Sequence, residues 1–334
     1  MPDESPARGA PYRLWIPLAV AFILIFLTVN FFMQWSSALA DQDSEQVEMQ
    51  VEADSADQEV LVLDFTGLQS LKDQAIDQVD NLLKPLVLPH DPQAGVVVVN
   101  PRDGMKLIYI PAGTVRLGAS VKYRTAKNNI SNHPTVEMDS FWIDQTQVTN
   151  AMYARCVKAG ACHKAIRSAI NPHYYDPRYA NHPVVYVTWF DSVNYCKWAG
   201  GQLPTEAQWE RAARGGGSRF YPWDDNTLIS KAANVGNLNK TTVPVGSYPN
   251  GASQYGALDM GGNVREWVRD WFAESYTLKL PYENPVGPDS GKLRLLKGAS
   301  WHDSVKSALI DSHFAHLPQS AGNNRGFRCV VPAK

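Results

Sequence analysis

The sequence predicts an α+β domain with little regular structure, preceded by one transmembrane helix, and three observations carry that reading. The 334 residues include 23 Gly, 22 Pro and 10 Trp with only 19% charged residues, the make-up of a loop-rich globule rather than a helical bundle. From about Val96, short apolar runs alternate with clusters of Gly, Pro, Asn and Asp, broken by two helical stretches. Upstream, Leu14 to Met33 is a run of 20 residues without a formal charge. A 44% hydrophobic composition supplies a large core. The balance of 31 Lys+Arg against 33 Asp+Glu leaves no basic surplus for a nucleic-acid partner.

Residues 1–13 read as a cytoplasmic N-terminus and 14–35 as a helix crossing the lipid bilayer, since twenty residues at 1.5 Å each span a hydrocarbon layer of ~30 Å. Arg8 and Arg13 precede the run and no Lys or Arg follows until Lys72, so everything beyond Trp35 is expected on the far side of an inner (plasma) membrane, periplasmic or extracellular. Ala38-Leu39-Ala40 resembles a signal-peptide processing site, but the run exceeds the usual apolar core of about 7–15 residues, which favours a retained anchor. Residues 36–65 form an acidic tether: Asp41 to Glu59 carries eight carboxylates and no basic residue. Within 66–95, Leu68, Leu71, Ala75, Val79 and Leu82 recur at helical spacing over about Thr66–Lys84, ahead of a stiff connector with Pro85, Pro89 and Pro92.

Residues 96–334 are expected to form the exported domain. Met105–Ala112, Thr135–Ile143 and Leu293–Leu296 read as strands. Thr188 to about Trp198 reads as a helix ended by Gly200-Gly201. A second helix starts at Thr205, where Gln208 three residues on completes a capping box. The tryptophans at 142, 189, 198, 209, 223, 267, 271 and 301 are expected mostly in the core.

Ordered motifs then identify a family. Ile110-Pro111-Ala112-Gly113-Thr114 and Val148-Thr149-Asn150 come first. His182-Pro183-Val184 follows, leading through Tyr195-Cys196-Lys197-Trp198-Ala199-Gly200 and Leu203-Pro204-Thr205-Glu206-Ala207-Gln208-Trp209-Glu210 to Ala212-Ala213-Arg214-Gly215-Gly216. Tyr221-Pro222-Trp223, Met260-Gly261-Gly262-Asn263-Val264-Arg265-Glu266-Trp267, Lys297-Gly298-Ala299-Ser300-Trp301 and Gly326-Phe327-Arg328-Cys329 complete the series. Together they resemble the formylglycine-generating enzyme (sulfatase-modifying factor) family from about Met105 to Val331. The resemblance implies a C-type-lectin-like fold and a bridge between Cys196 and Cys329, with Cys156 and Cys162 left to a local one. Export to an oxidising compartment suits both.

The same resemblance removes the family's chemistry. Its enzymes hold copper on two cysteines five residues apart, just after Lys-Gly-Gly-Ser, and soft thiolates suit copper(I). Those positions are Asp303 and Ala308 here, so no copper is expected. His302 and Asp303 are the weak catalytic candidates that remain. His313 and His316, three apart, would lie on one side of a helical turn and with Asp303 could hold a harder metal, unless they are merely polar loop residues. A structural calcium is implied at Asp259, Gly262, Val264 and Glu266, with a second at Asn234 and the Val235 carbonyl; the rival reading of Glu266 is a hydrogen-bonded core carboxylate. A separate departure from the family pattern is that its Glu-Val-Thr-Asn is Gln147-Val148-Thr149-Asn150 here, which loses a carboxylate. The expected function is a membrane-anchored, non-catalytic structural, assembly or accessory subunit of a cell-envelope complex, meeting a protein partner through 66–84 or 301–325. The alternatives are a periplasmic maturation enzyme with non-cysteine chemistry, and a ligand-binding receptor.

Overall fold

Among the described residues, hydrogen-bonded pairing gathers ten short strands into three sheets, with three helices of nine or ten residues and a single-turn helix at Ile229–Ala232 beside them. The computed structural model describes residues 85–118, 134–166, 173–224, 226–273 and 282–333, which all fall in one unit, Asp73–Lys334. The expected membrane span, acidic tether and amphipathic helix lie outside the described residues. No helix among the described residues is long and apolar enough to cross a membrane.

The first sheet is antiparallel in the order β1 (Val97–Val99), β2 (Lys106–Ile110), β5 (Phe141–Asp144), β10 (Val330–Pro332). The second pairs β3 (Gly113–Arg116) with β4 (Thr135–Met138). The third runs β8 (His313–His316), β7 (Arg294–Lys297), β6 (Arg265–Trp271), β9 (Arg325–Phe327), with β6 and β9 parallel. The apolar run Thr135–Ile143, expected as one strand, is therefore two strands in different sheets. Asn284 fixes the corner between them: its Oδ1 accepts from the Asp139 amide at 2.8 Å and its Nδ2 donates to Asp139 Oδ2 at 2.9 Å.

Local capping explains the helices. α1 (Asn150–Lys158) begins at Thr149, whose hydroxyl accepts from Met152 N. α2 (Trp189–Trp198) begins at Thr188 with Asp191 completing a capping box, and α3 (Glu206–Arg214) begins at Thr205 with Gln208 completing another. The bridges join as expected: Cys156 to Cys162 closes the end of α1, and Cys196 to Cys329 ties α2 to the final strands across 133 positions. Around the second bridge, Tyr195 stacks on Tyr153 with centroids 5.7 Å apart and packs edge-on to Phe327, beside Trp142 and Trp267. Half of the eight tryptophans fit the core expectation outright. Trp142, Trp209, Trp223 and Trp267 are buried, whereas Trp189, Trp198, Trp271 and Trp301 keep an exposed edge.

Candidate functional site

Two polar centres lie on opposite faces of β6, because Arg265 and Glu266 are adjacent in the strand and point to opposite sides. On the inner face Glu266 is fully buried. Arg328, on the loop joining β9 to β10, donates from Nε to Glu266 Oε2 at 2.6 Å and from Nη2 to Oε1 at 2.8 Å. Trp209 Nε1 from α3 donates to Oε2 at 2.7 Å, and Gln147 Nε2 donates to Oε1 at 2.9 Å. Arg328 also reaches the carbonyls of Asp144, Gln145 and Leu258. A two-pronged guanidinium–carboxylate pair with every oxygen satisfied is a form in which a buried ion pair persists. Glu266 is thus a hydrogen-bonded core carboxylate that links β6, α3 and the closing strands.

The same centre tests the first expected calcium site. Asp259 and Asn263 adopt left-handed backbone, at φ 61° and 70°, and fold the loop before β6 so that its carbonyls turn inward. The oxygens of Asp259, Gly262 and Val264 and Glu266 Oε1 converge on one point, and that point is Gln147 Nε2, at 3.3, 3.0, 3.0 and 2.9 Å. Calcium takes 6–8 oxygens at about 2.3–2.6 Å. As folded, these residues do not fit the cation. At the second expected site, Asn234 Nδ2 donates to Thr241 O and Asn263 Oδ1, while its Oδ1 accepts from Asn239. Val235 is buried in the cluster around Trp223. The Asn234 side chain is engaged within the protein at every polar atom.

On the outer face, the segment after β7 is held by Asp303. Its Oδ2 accepts from the Ser300 amide and hydroxyl, both at 2.8 Å, and from Arg265 Nε at 2.8 Å, while Arg265 Nη2 donates to Oδ1. Burial alone would raise this carboxyl, but Arg265 and Ser300 outweigh it and hold the group below its ordinary value. Ala308 is buried against the Trp223 cluster. His302 is exposed, edge-on to Trp301, and is not joined to Asp303 in a catalytic pair.

The helical-turn expectation for His313 and His316 is corrected. Both lie on strand β8, where positions three apart face opposite ways. His313 stands opposite Lys297 and close to the Phe272 ring, while His316 stands opposite Arg294. Among the described residues, no group of three or more His, Cys, Asp or Glu is placed to hold a metal ion. Instead this face joins cations to aromatic rings. Arg265 lies 3.5 Å over Phe314, and Arg294 sits between the rings of Trp189 at 3.9 Å and Trp271 at 3.4 Å. Arg325 stands beside Arg265 in register. Burial, then the charges of Arg325 and Arg265, push His316 below its ordinary pKa. Phe190 and Leu317 are exposed nearby in sequence to these groups, at 51% and 48%.

Sequence reasoning missed the roles of Arg265 and Gln147. The loss of a carboxylate at 147 was the one available signal for the latter, and nothing in the pattern pairs Arg265 with Asp303 across 38 positions.

A disulfide-tied α+β domain built on the Glu266–Arg328 pair, with this order of motifs, defines a formylglycine-generating-enzyme-like domain. The chain belongs to the sulfatase-modifying factor family: residues 93–333 match the Sulfatase-modifying factor enzyme 1-like domain. It is 33% identical over 291 residues to the formylglycine-generating enzyme of Streptomyces coelicolor, covering 70% of this chain and 91% of the relative. It is 31% identical over 231 residues to hercynine oxygenase of Mycolicibacterium smegmatis, covering 58% of this chain and 54% of the relative. The fold is similar to that of PvdO from Pseudomonas aeruginosa, with a TM-score of 0.58 at 24% identity over 72% of this chain and 99% of the other.

Proposed function

We propose that this protein is a membrane-anchored, non-catalytic member of the family, acting as a structural, assembly or accessory subunit of a cell-envelope complex. One observation carries the reading. The positions that the family resemblance assigns to copper thiolates hold Asp303, locked onto Arg265 and Ser300, and Ala308, buried in the core. All four cysteines are bonded in pairs, so the chain offers no thiol to a soft metal or a substrate.

In this reading residues 14–35 span the inner membrane and the domain is exported to the periplasm or cell exterior. The partner is a protein that meets 66–84 or the 301–325 face. The half-buried Phe314, Arg265 and Arg294 suit such a contact, since aromatic rings and arginines dominate protein interfaces. The test is a pull-down of the full-length chain from native membranes in mild detergent, with stoichiometry by mass spectrometry. A near-equimolar complex that weakens when Phe314→Ala and Phe190→Ala are combined is expected; a chain that elutes alone refutes the reading.

The enzymatic names of the relatives support a second reading, an envelope maturation enzyme using other chemistry. It would need His302 and Asp303. If His302→Ala and Asp303→Asn together leave the cellular phenotype intact, that reading loses its residues.

A further inference from the structure

We propose that the side-chain amide of Gln147 takes the place of the cation that the family resemblance implies at the loop before β6, so that this chain holds the loop without calcium. Backbone bonds of the next residue anchor the chain beside Gln147: Val148 N donates to Phe327 O at 3.0 Å, and Val148 O accepts from Val184 N at 2.9 Å. The side chain is fully buried and points into the ring of oxygens formed by Asp259, Gly262, Val264 and Glu266. Four acceptors within 3.3 Å of one nitrogen exceed its two hydrogens, so each hydrogen is shared between acceptors. An NH2 group thereby does, with partial positive charge, what a metal does with full charge: it draws together oxygens that would otherwise repel.

The charges of the surroundings agree with an amide rather than a dication. Glu266 is already matched by Arg328 through two hydrogen bonds. The other carboxyl of the loop, Asp259, points away and accepts from the Gly246 amide at 2.7 Å. The family pattern places a glutamate where Gln147 stands. Exchanging it for glutamine removes the anion that a cation would need and supplies the donor that fills its position.

One feature bears directly on the orientation. Gln147 Oε1 is buried with no hydrogen-bond partner. Turning the amide over would set that oxygen against four others, which only a cation lodged among them would make tolerable. The two orientations are therefore two chemical states, an amide nitrogen with no metal or an amide oxygen with one, and they are separable by experiment.

The experiment uses the full-length protein, stripped with a chelator and then studied with and without 1 mM calcium chloride, by metal analysis and thermal unfolding. The expected result is that calcium leaves the unfolding temperature of the natural chain unchanged, while Gln147→Glu unfolds several degrees lower in chelator and recovers with calcium. A second variant, Gln147→Met, removes the donor at similar volume and is expected to lower the unfolding temperature equally in both conditions. Calcium stabilisation of the natural chain that disappears in Gln147→Met overturns the proposal. Calcium stabilisation that survives in Gln147→Met places the ion elsewhere and supports it.

Discussion

Asp270 gives the most quantitative handle on this fold. It lies on β6, is almost fully buried, and its Oδ2 accepts from the Glu206 amide at 2.9 Å, which caps α3 from across the domain. Burial pushes its carboxyl up to about 7, with the Glu206 charge adding to the shift and Arg269 opposing it. An unfolded aspartate titrates near 3.9. Between those values the folded chain keeps a proton that the unfolded chain releases, so stability falls as pH rises, by about 1.4 kcal/mol per unit, and levels off above the folded value. Three units amount to about 4 kcal/mol lost by pH 8 that is not lost at pH 4. Asp270→Asn keeps an oxygen for the Glu206 amide and cannot ionise. The variant should match the natural protein near pH 4 and exceed it by up to about 4 kcal/mol at pH 8. Urea unfolding of the full-length chain at a series of pH values, followed by tryptophan fluorescence, measures the difference directly. Other buried carboxyls also tilt the natural curve, but only Asp270 differs between the two proteins. A gap that stays constant with pH, or a variant less stable at pH 8, would refute the argument.

Two further outcomes follow from the core. Replacing both Cys196 and Cys329 by Ser opens a loop of 133 positions and should cost about 5 kcal/mol in the chain-entropy model, against about 2 kcal/mol for the Cys156 and Cys162 pair, whose separation is only 6; denaturant midpoints of the two double variants should keep that order. Lys297 is fully buried with its Nζ 2.9 Å from Glu210 and 3.2 Å from Glu206, so Lys297→Met should destabilise by about 3 kcal/mol, the low end for a broken buried pair, because Glu210 loses one cation and keeps Arg214 at 3.2 Å. Adding Glu210→Gln should recover part of that loss, which a double-mutant cycle in thermal unfolding would read; strictly additive losses would deny the coupling.

What was legible in the sequence was what is local. The capping box at Thr205 needs only three residues of context and starts a helix where the sequence places it, and the helix expected from Thr188 to about Trp198 also forms, its capping box with Asp191 coming to light only in the structure. The bridges followed from the family motifs around Cys196 and Cys329. The failures are nonlocal. His313 and His316 carry a spacing that suits a helix, yet pairing with β7 imposes a strand and sends them to opposite faces. Thr135–Ile143 reads as one run because the residue that breaks it, Asn284, lies 145 positions from Asp139. Gln147 was visible as a lost carboxylate, but its destination among carbonyls more than 110 positions away was not.

These positions also explain how a fold of this family can hold together with a different outer segment. The inner face of β6 joins α3, the loop at 259–264 and the closing strands through Glu266, and none of those bonds passes through residues 301–325. On the other side of the same strand, Asp303 secures the segment by bonds to Arg265 and Ser300. The Asp303 side chain is so fully used in holding its own loop that it has little left to offer a reacting group. A buried carboxylate normally costs stability, and here Arg265 offsets that cost from the neighbouring strand. The inner centre thus holds the fold without bonds from the outer segment, which is compatible with the binding role proposed for 301–325.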